Sequence, residues 1–298
     1  MRWAGELAAL GTAVCWGSSA SLFVISGRRM GSLVLNRLRL SAAIVLLSAT
    51  LWAVRGSPWP TWATREQVQL LAASAFLGFV LGDSLYFRAL VILGAGPAAL
   101  LMSLSPVFAA VQARLFLGET LGARGVLGMA ITLAGLATAL HEPGRANANH
   151  PEGSPLVGVL SGAGAALLSS GGYILSKMAL QGGLDALSAT VIRVGTAAPI
   201  AWLLAPVQGG FARSFAALRD RVAVRAMLGG ALLGPFLGVT FSLLALQHTE
   251  AGVATSIFAC FPLLAIFLGA RIHRERVTAR TIAGALVTVG GVAVLFSR

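Results

Sequence analysis

The chain has 298 residues, 57% of them hydrophobic and only 11% charged, with a mean hydropathy of +0.84. Soluble chains carry roughly 25% charged residues and need far more polar surface than this to cover a core of such size. The composition therefore excludes a soluble globular protein and points to a polytopic membrane protein. The net charge of +12 comes from short basic clusters between apolar runs. In a membrane protein such clusters report topology and headgroup contact, so nucleic acid is not an expected partner and the lipid bilayer is.

A membrane-spanning helix needs about 20 apolar residues. Ten such segments can be marked, near 4–27, 33–54, 66–88, 94–115, 121–140, 155–178, 186–205, 222–245, 252–270 and 278–297. The first is followed by nine others, so it reads as a helix and not as a cleaved leader. Most connections are short, which makes neighbouring helices antiparallel. Residues 55–65 place Trp59 and Trp62 beside basic residues, as in an interfacial belt. Residues 141–154 are polar and rich in helix breakers and read as a central linker. Within 206–221, Phe211, Phe215 and Leu218 fall at helical spacing opposite Arg213, Arg219 and Asp220, the pattern of a short helix lying on the membrane surface. Cys15 and Cys260 sit inside apolar runs and read as buried thiols.

The linker divides the chain into a first five-helix unit, 1–140, and a second, 155–298. Adding 156 to a residue number superposes them. Between 89–140 and 245–296 there are 14 identical pairs, where composition alone would give roughly four or five. The pairs include Pro106/Pro262, Glu119/Glu275, Arg124/Arg280, Gly128/Gly284, Thr132/Thr288 and Gly135/Gly291; upstream, Gly78/Gly234, Gly82/Gly238 and Arg37/Arg193 follow the same offset. Five helices per unit is an odd number, so the second unit enters the membrane from the opposite side. The expected fold is an all-α integral membrane protein of ten transmembrane helices in two inverted repeats, an architecture that many secondary transporters use.

The AVCWGSS segment with Trp16, Gly17 and Ser18, Arg37 in the second helix, and SPVFAAVQARLFLGETL from Ser105 to Leu121 resemble the ten-helix EamA-type branch of the drug/metabolite transporter superfamily. The second copy reads FPLLAIFLGARIHRERV from Phe261 to Val277, departing from the pattern with Arg274 before Glu275. The resemblance spans essentially the whole chain. It implies export or exchange of small metabolites (amino acids, nucleosides, sugars or organic cations) through a central cavity lined mainly by helices 1, 3, 4, 6, 8 and 9. It also implies cytoplasmic termini. The Lys and Arg tally disagrees, with 7 on the side so assigned to the cytoplasm and 14 on the other, and positive-inside reasoning favours the reverse orientation.

Asp83 is the sharpest single signal. A carboxylate deep in the third helix, within GFVLGDSLYFRAL, is costly unless it faces a cavity, pairs with a cation or carries a proton. It is a candidate site for a substrate ammonium or for a coupling proton, and a salt bridge to a neighbouring helix is the structural alternative. Tyr86 follows on the same helix face. Trp16, Tyr173 and Phe236 fall on other helices of the implied cavity and could hold an ammonium or stack on a ring, or simply pack. Arg37 and its mate Arg193 are candidates for a substrate carboxylate, with snorkelling or an ion pair as the alternative, favoured for Arg193. Pro106, Pro262 and Gly17 are the candidate hinge positions. Gly128, Thr132 and Gly135, with Gly284, Thr288 and Gly291, give the fifth and tenth helices one small face suited to close packing, within the chain or in a homodimer. Glu119 and Glu275 read as caps or ion-pair partners of Arg124 and Arg280.

No HExxH, Walker motif or Ser/His/Asp set is present, so no enzyme activity, metal or cofactor is expected. The sequence reads as a multi-pass secondary transporter of the bacterial inner membrane that binds a small molecule and moves polar metabolites by alternating access. Export of amino acids or related amines leads. The alternatives are a membrane enzyme on lipid-linked substrates, which would need clustered His, Asp and Glu at one interface, and a non-transporting scaffold, which would have a dry, apolar interior.

Overall fold

The computed structural model describes residues 4–117, 123–140, 153–206, 210–248, 254, 257–273 and 277–295. The linker 141–152 and both Glu119 and Glu275 lie outside the described residues. Among the described residues the regular structure is entirely helical. The first unit comprises α1 Ala4–Met30, α2 Ser32–Arg55, α3 Arg65–Leu93, α4 in two pieces (Ala95–Met102 and Ser105–Leu117) and α5 Ala123–Leu140. The second comprises α6 Pro155–Gln181, α7 Ala186–Leu203, α8 Arg221–His248, α9 Phe261–His273 and α10 Ala279–Leu295. Between α7 and α8 lies a short surface helix, Gly210–Ala217.

Six of these helices (α1, α2, α3, α6, α7 and α8) are long and apolar enough to cross a membrane unaided, and the others are shorter apolar helices. Two spans end later than their hydrophobic runs suggest. Arg28 and Arg29 do not stop α1 but occupy its last turn, where cations favour the helix dipole. Arg88 does not stop α3, which runs on to Leu93. What ends both helices is glycine: Gly31 at φ 86° and Gly94 at φ 93° each join two helices as a single residue in a conformation that side chains rarely adopt. At the helix starts, Thr64 and Gln67 form a reciprocal cap for α3, while Asp185 and Asp220 cap α7 and α8 by accepting from backbone N–H groups.

The repeat is visible in the backbone itself. A π-helical stretch covers Phe76–Gly82 in α3 and Leu232–Gly238 in α8, the same register in both units. α4 is interrupted by a turn at Ser103–Leu104, and the corresponding turn falls at Ala259–Cys260 before α9. Packing follows the same symmetry. α5 lies along α10, α2 along α7, and α1 against α8 just as α6 lies against α3. The helices thus form two inverted five-helix repeats whose irregularities and contacts correspond.

Lipid tails are as apolar as leucine, so close backbone approach holds such helices together. The small face predicted for α5 meets α10 of its own chain. A Cβ at Gly135 would strike the backbone nitrogen and hydroxyl of Thr288, and a Cβ at Gly291 would strike those of Thr132. Gly284 similarly abuts Ala139. Thr132 and Thr288 turn their hydroxyls back to Gly128 O and Gly284 O at 2.8 Å, so each threonine's own donor is satisfied within the seam.

Candidate functional site

The π-helical turn in α3 creates the site. There the Asp83 N–H reaches back five residues to Gly78 O. The Phe79 carbonyl, which Asp83 would take in an α-helix, instead accepts from Asn36 Nδ2 of α2 at 2.9 Å. Asn36 Nδ2 also donates to Ser84 Oγ at 3.1 Å, and Asn36 Oδ1 accepts from Arg39 Nε and Nη2 at 3.1 and 2.9 Å. Arg39 Nη2 then donates to Asp83 Oδ2. The salt bridge raised as an alternative for Asp83 is therefore present, and it comes from the neighbouring helix.

Three aromatic rings surround the Arg39 guanidinium: Phe87 at 4.6 Å, Phe23 at 5.7 Å and Phe79 at 6.0 Å. Arg39 is 3% exposed. A guanidinium is the cation best suited to such burial, since its delocalised charge is weakly hydrated and its face stacks on rings. Phe79 also underlies Arg193 of α7, whose guanidinium carbon sits 4.5 Å from the ring centroid. Arg193 too is 3% exposed, so it does not snorkel. It interacts electrostatically with Asp83 and with Tyr173. Asp83 stands ten residues before the end of α3, and Arg193 seven residues after the start of α7 and ten before its end, so both charges lie about 10–15 Å or more from the ends of their helices.

The remaining candidates divide. Tyr86 interacts electrostatically with Asp83 and Arg39, and Tyr173 of α6 with Arg193 and Asp83. Trp16 of α1 continues this wall, 6.3 Å from Tyr173, 5.5 Å from Phe258 and 6.1 Å from Phe261. Gly238 at the end of the α8 π-turn admits the indole, which a Cβ there would meet at 2.6 Å. Phe236 lies in that π-turn and packs on the apolar cluster of α2, α3, α6 and α7. Arg37 is elsewhere: it donates to Ala201 O at 3.1 Å and to Ser214 Oγ, with its guanidinium 5.4 Å from the Trp202 ring. Trp202 in turn stacks on Phe211 at 5.8 Å. Arg37 thus pins the surface helix to the bundle, two residues away from the arginine that reaches Asp83.

Pro106 and Pro262 do not interrupt a continuous helix as expected. Each is the second residue of the half-helix that follows a break, where its missing N–H would have no partner in any case. The discontinuity lies two residues earlier, at the turns. Gly17 is a packing position: a Cβ there would meet Leu264 Cβ at 2.8 Å and Phe261 O at 3.0 Å, so it lets α1 touch α9.

The sequence reading missed Asn36 and Arg39, and it ranked Arg193 below Arg37. α2 and α7, which supply the polar residues, are outside the set of cavity helices that the family resemblance implies. One signal was available: Asn36 and Arg39 are three residues apart on one helix face, inside an apolar run.

An inverted repeat of five membrane helices, closed around charges that face its interior, is the fold of a membrane transport protein. The chain belongs to the EamA-like transporter family, of the drug/metabolite transporter superfamily: the family model matches residues 3–140 and again 156–297. It is accordingly a multi-pass membrane transporter, which takes its small-molecule substrate within the membrane, and not an enzyme. No curated protein matches the sequence. A solved crystal structure 17% identical to it superposes over 99% of this chain and 96% of its own, with a TM-score of 0.65. That likeness concerns the fold alone.

Proposed function

We propose that the protein is a secondary transporter of the bacterial inner membrane that moves small polar metabolites by alternating access, with amino acids or related amines as exported substrates. One observation carries the reading. The two units repeat their irregularities, the π-turns of α3 and α8 and the turns ahead of Pro106 and Pro262, at the same registers, and a buried charged cluster sits between them. Irregular backbone inside a bilayer is costly unless it is enclosed by protein or lines a cavity. Duplicated irregular backbone in oppositely oriented units gives two conformations of comparable energy, in which the units exchange shapes. Tyr86, Tyr173 and Trp16 supply a wall on which an ammonium or a ring can rest. Asp83 is the candidate carrier of a coupled proton.

The test is uptake and efflux by purified protein in liposomes, with a pooled panel of amino acids, amines, sugars and nucleosides read by mass spectrometry under both pH gradients. Selective movement of one class is the expected result. Movement of none, by folded protein, would overturn the reading. Labelling of a cysteine introduced in place of Asn147 would report on which face of the membrane the linker lies.

A further inference from the structure

We propose that Arg193 is the anchor for a carboxylate on the transported molecule, so that the substrate class is the small zwitterion, an amino acid or close analogue, and not the simple amine. This rests on the transporter reading above. Arg193 lies in the membrane interior at 3% exposure, and its buried Nε has no hydrogen-bond partner among the described residues. Nothing among those residues accepts from its guanidinium. Its guanidinium lies on the face of Phe79, with Tyr173 and Asp83 near enough to interact through charge alone. A ring face uses the cation's charge but none of its five in-plane N–H donors. A buried guanidinium left in that condition is costly, and a ligand that accepts those donors relieves the cost.

The repeat supplies an internal control. Arg37 occupies the equivalent position in the first unit and is satisfied by Ala201 O and Ser214 Oγ. The fold can therefore provide acceptors to an arginine at this register, and among the described residues it provides none to Arg193. The second guanidinium of the site, Arg39, is already committed to Asn36 and Asp83. Two cations and one carboxylate leave the cluster with a single excess positive charge. A bare amine would raise that excess to two, whereas a zwitterion brings its own carboxylate and leaves it unchanged. The ligand's own ammonium has Asp83 to face, since Arg39 takes only Oδ2 and the side chain keeps 19% of its surface accessible. The same carboxylate would repel a phosphate dianion. The bidentate match between guanidinium and carboxylate fixes the orientation of the bound molecule.

The experiment is counterflow in liposomes with the full-length protein, using several amino acids, each beside its decarboxylated amine and its carboxamide, together with a phosphate monoester. The expected result is that amino acids move and the matched amines and carboxamides move at least tenfold more slowly. Arg193→Gln should reduce amino-acid transport at least tenfold without favouring the amine, and Arg193→Lys should raise KM more than it lowers kcat. Because Arg193→Gln could fail to fold, the same pairs are compared on the unaltered protein by ligand-induced shift of its melting temperature, where only the carboxylates should stabilise. Amines moving as well as their parent amino acids, a folded Arg193→Gln that keeps full transport, or preference for the phosphate ester would overturn the assignment while leaving the transporter reading intact. Movement of no compound at all would overturn both.

Discussion

Gly135 on α5 lies against the backbone nitrogen of Thr288 on α10. Because the units repeat with an offset of 156, Gly291 lies in the same way against Thr132. The seam is thus written twice, once from each side. No side chain fits at either glycine without separating the helices. Gly135→Leu should cost about 3 kcal/mol or more by overpacking, and Gly291→Leu a similar amount, read as a lowered melting temperature in detergent. If both variants melt like the parent, the seam is not formed as described.

Arg39 and Asp83 form the second test. Breaking a buried ion pair from one side strands the other charge, at roughly 3–5 kcal/mol. Asp83→Ala should therefore destabilise strongly, while Arg39→Ala combined with Asp83→Ala should recover part of the loss. Both variants should transport at least tenfold more slowly than the parent. A double-mutant cycle without coupling would show that the two groups do not interact. An Asp83→Asn protein with normal transport and unchanged pH dependence would remove Asp83 from the mechanism.

The Ser214 hydroxyl accepts from Arg37, and both residues are buried. Ser214→Ala leaves that guanidinium short of an acceptor, at about 1–3 kcal/mol. The surface helix Gly210–Ala217 should exchange its amide hydrogens faster, while KM for substrate stays unchanged. A large KM effect would place Arg37 in the binding site after all.

At the membrane surface, Arg29 and Asp220 join the end of α1 to the start of α8, 2.7 Å apart. The hydrogen bond from Arg29, aided by the N–H groups of Ala223 and Val222, holds the Asp220 carboxyl below the usual carboxylate range. A group whose folded pKa is depressed stabilises above its unfolded value, near 4, and loses that contribution as pH falls through the folded one. Arg29→Gln should therefore melt below the parent at pH 7, and the gap should close on acidification below about pH 4. A gap that stays constant through this window would exclude the ion pair as its source.

The scaffold was legible because it is duplicated. Hydrophobic runs located the spans, and an odd number of helices per unit dictated their inversion. The site was less legible because it is where the copies differ. The positions matching Asn36, Arg39, Asp83 and Tyr86 are Ile192, Gly195, Val239 and Ser242. Asp83 stood out as a lone acid, yet its partner Arg39 resembles the many arginines that mark topology. Arg37 and Arg193 look equivalent in sequence. Only three-dimensional placement separates them, since Arg37 meets acceptors on α7 and the surface helix, and Arg193 meets a phenyl ring. The π-turns were not read, because FLGFVLG fits an ordinary helix as well and Pro235 in LLGPFLG signals an interrupted ladder without giving its form.

Those two widened turns also make the units unlike where they look most alike. Where the ladder steps from four residues to five, one carbonyl is released, and at Phe76–Gly82 the oxygen of Phe79 is taken by a side chain of α2. The stretch at Leu232–Gly238 carries Pro235, which has no N–H to contribute to the ladder. One irregularity of the backbone thus anchors a neighbouring helix in the first unit and accommodates a proline in the second.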